Sequence, residues 1–105
     1  MSHSKHAAFA RRDSNHDELV KVYLSLHCGV LDTHAMGFGM PDILVHFSGY
    51  CCPVEIKSQD GELEPSQVRF IREWKGPRIE VVRTPDDVIA HVTRIRQQQA
   101  TGVRS

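Results

Sequence analysis

The residues best suited to chemistry fall in two short strings, Pro41-Asp42 and Glu55-Ile56-Lys57. Two carboxylates and an ammonium group are the tools of phosphodiester hydrolysis. That reaction needs a nucleophilic water, in-line geometry and neutralised charge at the transition state. One or two carboxylates suffice to hold Mg²⁺ while the ion keeps several of its own waters. Asp42 and Glu55 are the candidate ligands, and the backbone carbonyl of Ile56 could complete the set. Lys57 follows Glu55 by two residues on the same strand face. There it can orient or help deprotonate the attacking water and stabilise developing negative charge. Each string alone is weak, because Pro-Asp is a common turn dipeptide and E-x-K often marks a solvated strand face. The main competitor is a buried structural salt bridge between Glu55 and Lys57. Val54 and Ile56 mark that strand as largely buried, and unpaired charges are costly there.

The elements around these strings decide whether they meet. Segments 41–47 and 50–57 are β-rich, and Ser48-Gly49 between them suits a two-residue hairpin turn. Phe47 then faces Tyr50, and Asp42 faces Glu55 on one side of the sheet. Pro53 lacks a backbone donor and suggests an edge or a bulge, which would shift that register. Upstream, Asp13, Ser14 and Asn15 offer N-caps to a helix with the stripe Leu19, Val22, Tyr23 and Leu26, ended by Gly29. Glu18 lies beside that stripe and can point toward the sheet, holding a water or a second metal. Residues 30–34 read as a strand and 35–40 as a glycine-rich loop. His16 and His34 could approach the site, although surface or satisfied histidines are the plainer reading.

Downstream, 58–64 is a polar connection and Pro65 opens a second helix. Val68, Ile71 and Trp74 form its inward stripe, and Gln67 lies along it as a neutral hydrogen-bonding partner. Arg69, Arg72 and Lys75 take much of the remaining surface. Gly76-Pro77 stops this helix, 79–83 reads as a strand, and Thr84-Pro85 caps a last helix with Val88, Val92 and Ile95 inward. The order is α-β-β-β-α-β-α, and the helical crossover implies that the third and fourth strands run parallel. Residues 1–12 read as a flexible basic arm, 13–96 as the domain and 97–105 as a frayed tail.

Composition sets the outer bounds. The 105 residues make one small domain, 40% hydrophobic and 25% charged, as in ordinary globular proteins. No apolar run approaches a membrane span or a signal peptide. Cys28, Cys51 and Cys52 show no C-x-x-C spacing, so neither a disulfide framework nor a zinc knuckle is indicated, and a reducing cytoplasm is the natural setting. The net charge of zero conceals an uneven distribution: +3 over 1–12, −7 over 13–64 and +4 over 65–105. An acidic middle with basic flanks suits a site that binds a divalent cation and DNA phosphates together.

Arg11-Arg12-Asp13-Ser14-Asn15-His16-Asp17-Glu18, Gly37-Phe38-Gly39-Met40-Pro41-Asp42-Ile43-Leu44-Val45, Val54-Glu55-Ile56-Lys57 and Val81-Val82-Arg83-Thr84 together resemble the PD-(D/E)XK nuclease superfamily. The nearest likeness is to VRR-NUC-like nucleases of bacteriophages, which are similar to archaeal Holliday-junction resolvases. The resemblance spans roughly residues 11–95. It implies an α/β fold with a restriction-endonuclease-like αβββαβ core, a mixed four-stranded sheet flanked by helices, and an added C-terminal helix. It also implies Glu18 as the helix carboxylate, Asp42 and Glu55 as metal ligands, Lys57 as the catalytic lysine and Gln67 as the helix glutamine. The departures are a short acidic 58–64 connection and the unusual strand start Cys51-Cys52-Pro53.

The expectation is therefore a Mg²⁺-dependent endonuclease, with Mn²⁺ able to substitute, acting on branched or structured DNA. Arg11, Arg12, Arg69, Arg72 and Lys75 are the candidate phosphate contacts, and shape readout suits so small a chain. Two symmetric cuts in a junction need two sites, hence a homodimer. The expected location is the cytoplasm, the host's if the chain is phage-encoded. The alternatives are a non-catalytic DNA-binding or assembly module on the same fold, motivated by the zero net charge, and a structural virion or scaffold protein.

Overall fold

A computed structural model describes residues 14–102. The expected arm at 1–12, including Arg11 and Arg12, and the capping candidate Asp13 lie outside the described residues. The elements are α1 (His16–Ser25), β1 (Gly29–Asp32), β2 (Ile43–Phe47), β3 (Tyr50–Ile56), α2 (Pro65–Glu73), β4 (Glu80–Val82) and α3 (Pro85–Thr101). A single 3₁₀ turn, His34–Met36, interrupts the β1–β2 connection. The strands form one mixed sheet in the order β1-β2-β3-β4, antiparallel except for the parallel β3–β4 pair. The fold is thus α/β, a mixed four-stranded sheet with three helices.

The β2–β3 hairpin has the expected register, from Phe47 opposite Tyr50 to Ile43 opposite Val54. Ser48 and Gly49 both take positive φ, 49° and 79°, as the tight turn whose twist matches the strands requires. Pro53 sits in this interior strand opposite Leu44 with no bulge, contrary to the edge or bulge expected of it. The turn makes Phe47–Tyr50 a hydrogen-bonded pair, so the Pro53 nitrogen faces away from β2. On that side the β4 ladder begins only at Val54.

Alternation along the strands divides the sheet into two unlike faces. Ile43, Val45, Phe47, Cys52, Val54, Ile56 and Val82 pack with Leu19 and Tyr23 of α1 and with Val88, Val92 and Ile95 of α3 into one core. The opposite face carries Glu55 and Lys57. The second helix does not supply the inward stripe expected of it: no residue of α2 is buried, and Val68 is 45% exposed. Trp74 stacks on Phe70 and donates its indole N–H to the Pro77 carbonyl at 2.7 Å, closing over Gly76 rather than entering the core.

Two further boundaries differ. His27, at φ 66°, makes the left-handed turn after α1. Gly29 is already in β1, where the His46 ring occupies the place a side chain would need. The expected tail is helical as far as Thr101, ending on Gly102 at φ 77°, and Gln99 donates to the Ser48 carbonyl at 2.9 Å. Among the described residues, no helix is long and apolar enough to cross a membrane.

Candidate active site

The hairpin sets the first part of the site. Glu55 and Lys57 are consecutive outward positions at the end of β3, yet they are only 2% and 9% exposed. Lys57 Nζ lies 3.9 Å from Glu55 Oε2, an ion pair too long for a hydrogen bond. Asp42 is one residue before β2, where the backbone ladder gives way to its side chain. Asp42 Oδ2 accepts from the Ile56 N–H at 2.9 Å. A strand residue points its N–H and C=O to the same neighbour. The Ile56 carbonyl therefore lies along the edge that Asp42 occupies, and the two strings meet through Ile56.

Gln67 joins from above. Its Oε1 accepts from the Glu64 N–H at 2.7 Å, which caps α2, and its Nε2 donates to Glu55 Oε2 at 2.8 Å. Pro65 at the first turn spares a donor that the helix would leave unused. One amide thus fixes both the start of α2 and the orientation of the carboxylate. Arg69, Arg72 and Lys75 are exposed on and just beyond this helix.

Glu18 is exposed on α1. No hydrogen bond or ion pair joins it to Asp42, Glu55 or Lys57, so among the described residues four of the five expected side chains are brought together. The start of α1 is nevertheless fixed to the site. Asn15 stands at the expected cap position but makes no side-chain cap bond. Its Nδ2 instead donates to the carbonyls of Lys57 at 3.0 Å and Arg83 at 2.8 Å, tying α1 to the ends of β3 and β4. Arg83 in turn donates to the Ser58 carbonyl at 2.8 Å and also binds the Gly61 carbonyl, holding the connection that follows Lys57.

His34 proves closer to the site than its plainer reading allowed. Its Nδ1 is 3.0 Å from Asp42 Oδ1, and the His16 ring meets it edge-on at 6.3 Å. Both Asp42 oxygens therefore have partners, one on each side of the loop. Pairing along the β1–β2 ladder continues past Asp32, with the Thr33 N–H donating to the Asp42 carbonyl at 2.9 Å. That register sets Thr33 opposite Asp42, and His34 follows it into the loop. Arg94 and Arg96 have structural partners: Arg94 binds Glu80 at 2.6 Å, and Arg96 donates to the Leu26 carbonyl at 2.6 Å over the Phe47 ring.

The donors along this edge are all oxygens: Asp42, Glu55 and the Ile56 carbonyl. Such a set fits a hard cation such as Mg²⁺ or Mn²⁺ better than a thiophilic metal. Among the described residues, no group of three or more His, Cys, Asp or Glu gathers to cage a metal. A cation on two carboxylates would thus keep waters of its own. Comparison of the chain with known proteins finds no matching family model, no matching curated protein and no matching solved structure.

Proposed function

We propose that this chain is a metal-dependent endonuclease of the PD-(D/E)XK type, hydrolysing DNA phosphodiester bonds on a restriction-endonuclease-like core. The observation that carries this reading is the buried Glu55–Lys57 pair, with Asp42 tied to the intervening Ile56 N–H and Gln67 tied to Glu55. Carboxylates and a lysine sunk into a strand end make poor solubilising surface and a reasonable phosphate-cleaving centre. Asp42, Glu55 and the Ile56 carbonyl would hold Mg²⁺ or Mn²⁺. When bound, the ion supplies Lewis-acid polarisation of the phosphate and a more acidic water.

The chain's own groups do the rest. Gln67 keeps the Glu55 carboxylate in one orientation, and the Ile56 N–H and His34 do the same for Asp42. The Lys57 ammonium orients the attacking water and offsets negative charge at the phosphorus as the bond to the leaving oxygen lengthens. Glu18 has no step in this scheme. Arg69, Arg72 and Lys75, with the basic residues of segment 1–12, are proposed to contact phosphates. A homodimer cutting branched or structured DNA in a host cytoplasm is the setting proposed for it.

Purified protein should cut a panel of junction, flap and nicked DNA with Mg²⁺ or Mn²⁺ but not in chelator. Glu55→Gln should lower the rate by about 10²-fold or more. Unchanged cutting in that variant would sink the assignment. Calorimetric titration with Mn²⁺ tests the site without turnover. DNA binding without Mn²⁺ binding would favour a non-catalytic DNA-binding module instead.

A further inference from the structure

The loop that leads from β1 to Asp42 holds an aromatic side chain that hydrolysis does not use. Gly37, Phe38 and Gly39 have φ of 76°, 59° and 79°. Glycine adopts such values freely, whereas a bulky residue there crowds its own backbone. Phe38 gains nothing by burial in exchange, being 96% exposed. Unfavourable backbone of this kind persists only where the surroundings fix it, and it gathers at binding sites.

The surroundings do fix it. The Met40 N–H donates to the Gly37 carbonyl at 3.0 Å, and Thr33 Oγ1 donates to the Pro41 carbonyl at 2.6 Å. Gly39 lies so close to the Ser66 carbonyl that a Cβ would collide with it. Ser66 precedes Gln67, the residue that holds Glu55. The loop is therefore wedged between β1 and the first turn of α2. Phe38 stands one residue from that contact and four before Asp42. It is open to solvent on the loop that runs into Asp42, and Arg69 and Arg72 are exposed on the helix whose first turn that loop touches.

An exposed aromatic ring on a loop that runs into a phosphate-binding centre and touches a helix with exposed arginines suits a nucleobase as its partner. Only a base that has lost a neighbour in the helix has a face to offer. We propose that Phe38 is a wedge that stacks on an unpaired base next to the scissile phosphate, and so selects flapped, gapped or branched DNA over continuous duplex. This rests on the nuclease reading above.

The test uses the full chain carrying Glu55→Gln, in chelator, so that DNA stays intact. Gapped and flapped DNA with 2-aminopurine at the unpaired position is compared with continuous duplex. With Phe38 present, binding should quench the probe and favour the structured DNA. Phe38→Asn removes the ring with a residue that accepts positive φ, so the fold is retained or made more stable. It should abolish the quenching and cut the preference for structured DNA about tenfold. Phe38→Trp should restore both. Quenching and preference that survive Phe38→Asn would overturn the wedge, even in a protein whose cutting depends on Glu55. Cutting indifferent to Glu55, or no DNA binding at all, would overturn the nuclease reading and the wedge with it.

Discussion

Glu55 and Lys57 admit two explanations that differ in what the pair does for stability. A structural salt bridge holds its charges in hydrogen-bonded contact, and breaking it leaves an uncompensated buried charge that costs about 3–5 kcal/mol. Here Nζ and Oε2 are 3.9 Å apart, and Glu55 Oε2 instead accepts from the Gln67 amide at 2.8 Å. A site that gathers acidic groups for a cation is the opposite case, because without the cation those groups repel. Glu55→Gln keeps the shape of the side chain and removes one charge. Its melting temperature in metal-free buffer should equal or exceed that of the unmodified chain, by at most about 4–8 °C, equivalent to roughly 1 kcal/mol. A fall of more than about 10 °C would side with the structural salt bridge.

At the scale of elements, α2 stands apart from the rest. None of its residues is buried, and it is held to the sheet face by the Gln67–Glu55 hydrogen bond and the close approach of Gly39 to Ser66. A helix of this length is marginal in water without a packed face. Amide exchange in α2 should therefore be far faster than in β2 and β3, which lie in the core. Gln67→Ala removes the cap and the tether together, so it should speed exchange across α2 and leave β3 unchanged in hydrogen-exchange mass spectrometry. Protection in α2 equal to that of β3 would contradict this account. The same helix shows where sequence reading stops. Val68 and Ile71 do recur at helical spacing, but periodicity reports an amphipathic helix and not whether a partner exists for its apolar side, and Trp74 falls just beyond the last helical residue in extended backbone. The β2–β3 register was legible because Ser48-Gly49 specifies a turn whose length fixes every pairing beyond it. Gln67 could be placed near the sheet from its spacing, although its double use as cap and tether could not. His34 was hidden for another reason: it reaches Asp42 across the 33–41 loop, whose path depends on three consecutive positive φ values that no periodicity encodes.

The whole molecule is built one-sidedly, with α1 and α3 forming the core on one face and the candidate site on the other. Global stability therefore depends on the helical face, and that face buries a histidine at its centre. His91 of α3 is fully buried, with Nδ1 2.8 Å from the Tyr23 hydroxyl and Nε2 3.2 Å from the Tyr50 hydroxyl. A neutral ring donates from one of these nitrogens and accepts at the other, and the two hydroxyls can serve either role. Burial is the largest cause that brings the His91 pKa down from 6.5 to about 4, with Glu80 opposing it and Arg94 and Arg78 adding to it. Burial also raises the pKa of Tyr23, Tyr50 and Cys52, so none of these neighbours is anionic near neutrality. The sign follows from proton counting. Above the unfolded value both states are neutral at this site and stability is full. Between that value and about 4 the unfolded chain takes up a proton that the folded chain refuses, so stability falls as pH falls. The loss attributable to His91 should reach about 2 kcal/mol near pH 5. His91→Gln keeps a donor and an acceptor but does not titrate. Urea unfolding from neutral pH to about pH 5 should therefore show the stability gap between the two proteins narrowing as pH falls. A gap that stays constant over that range would mean that His91 does not set the acid limit of the fold.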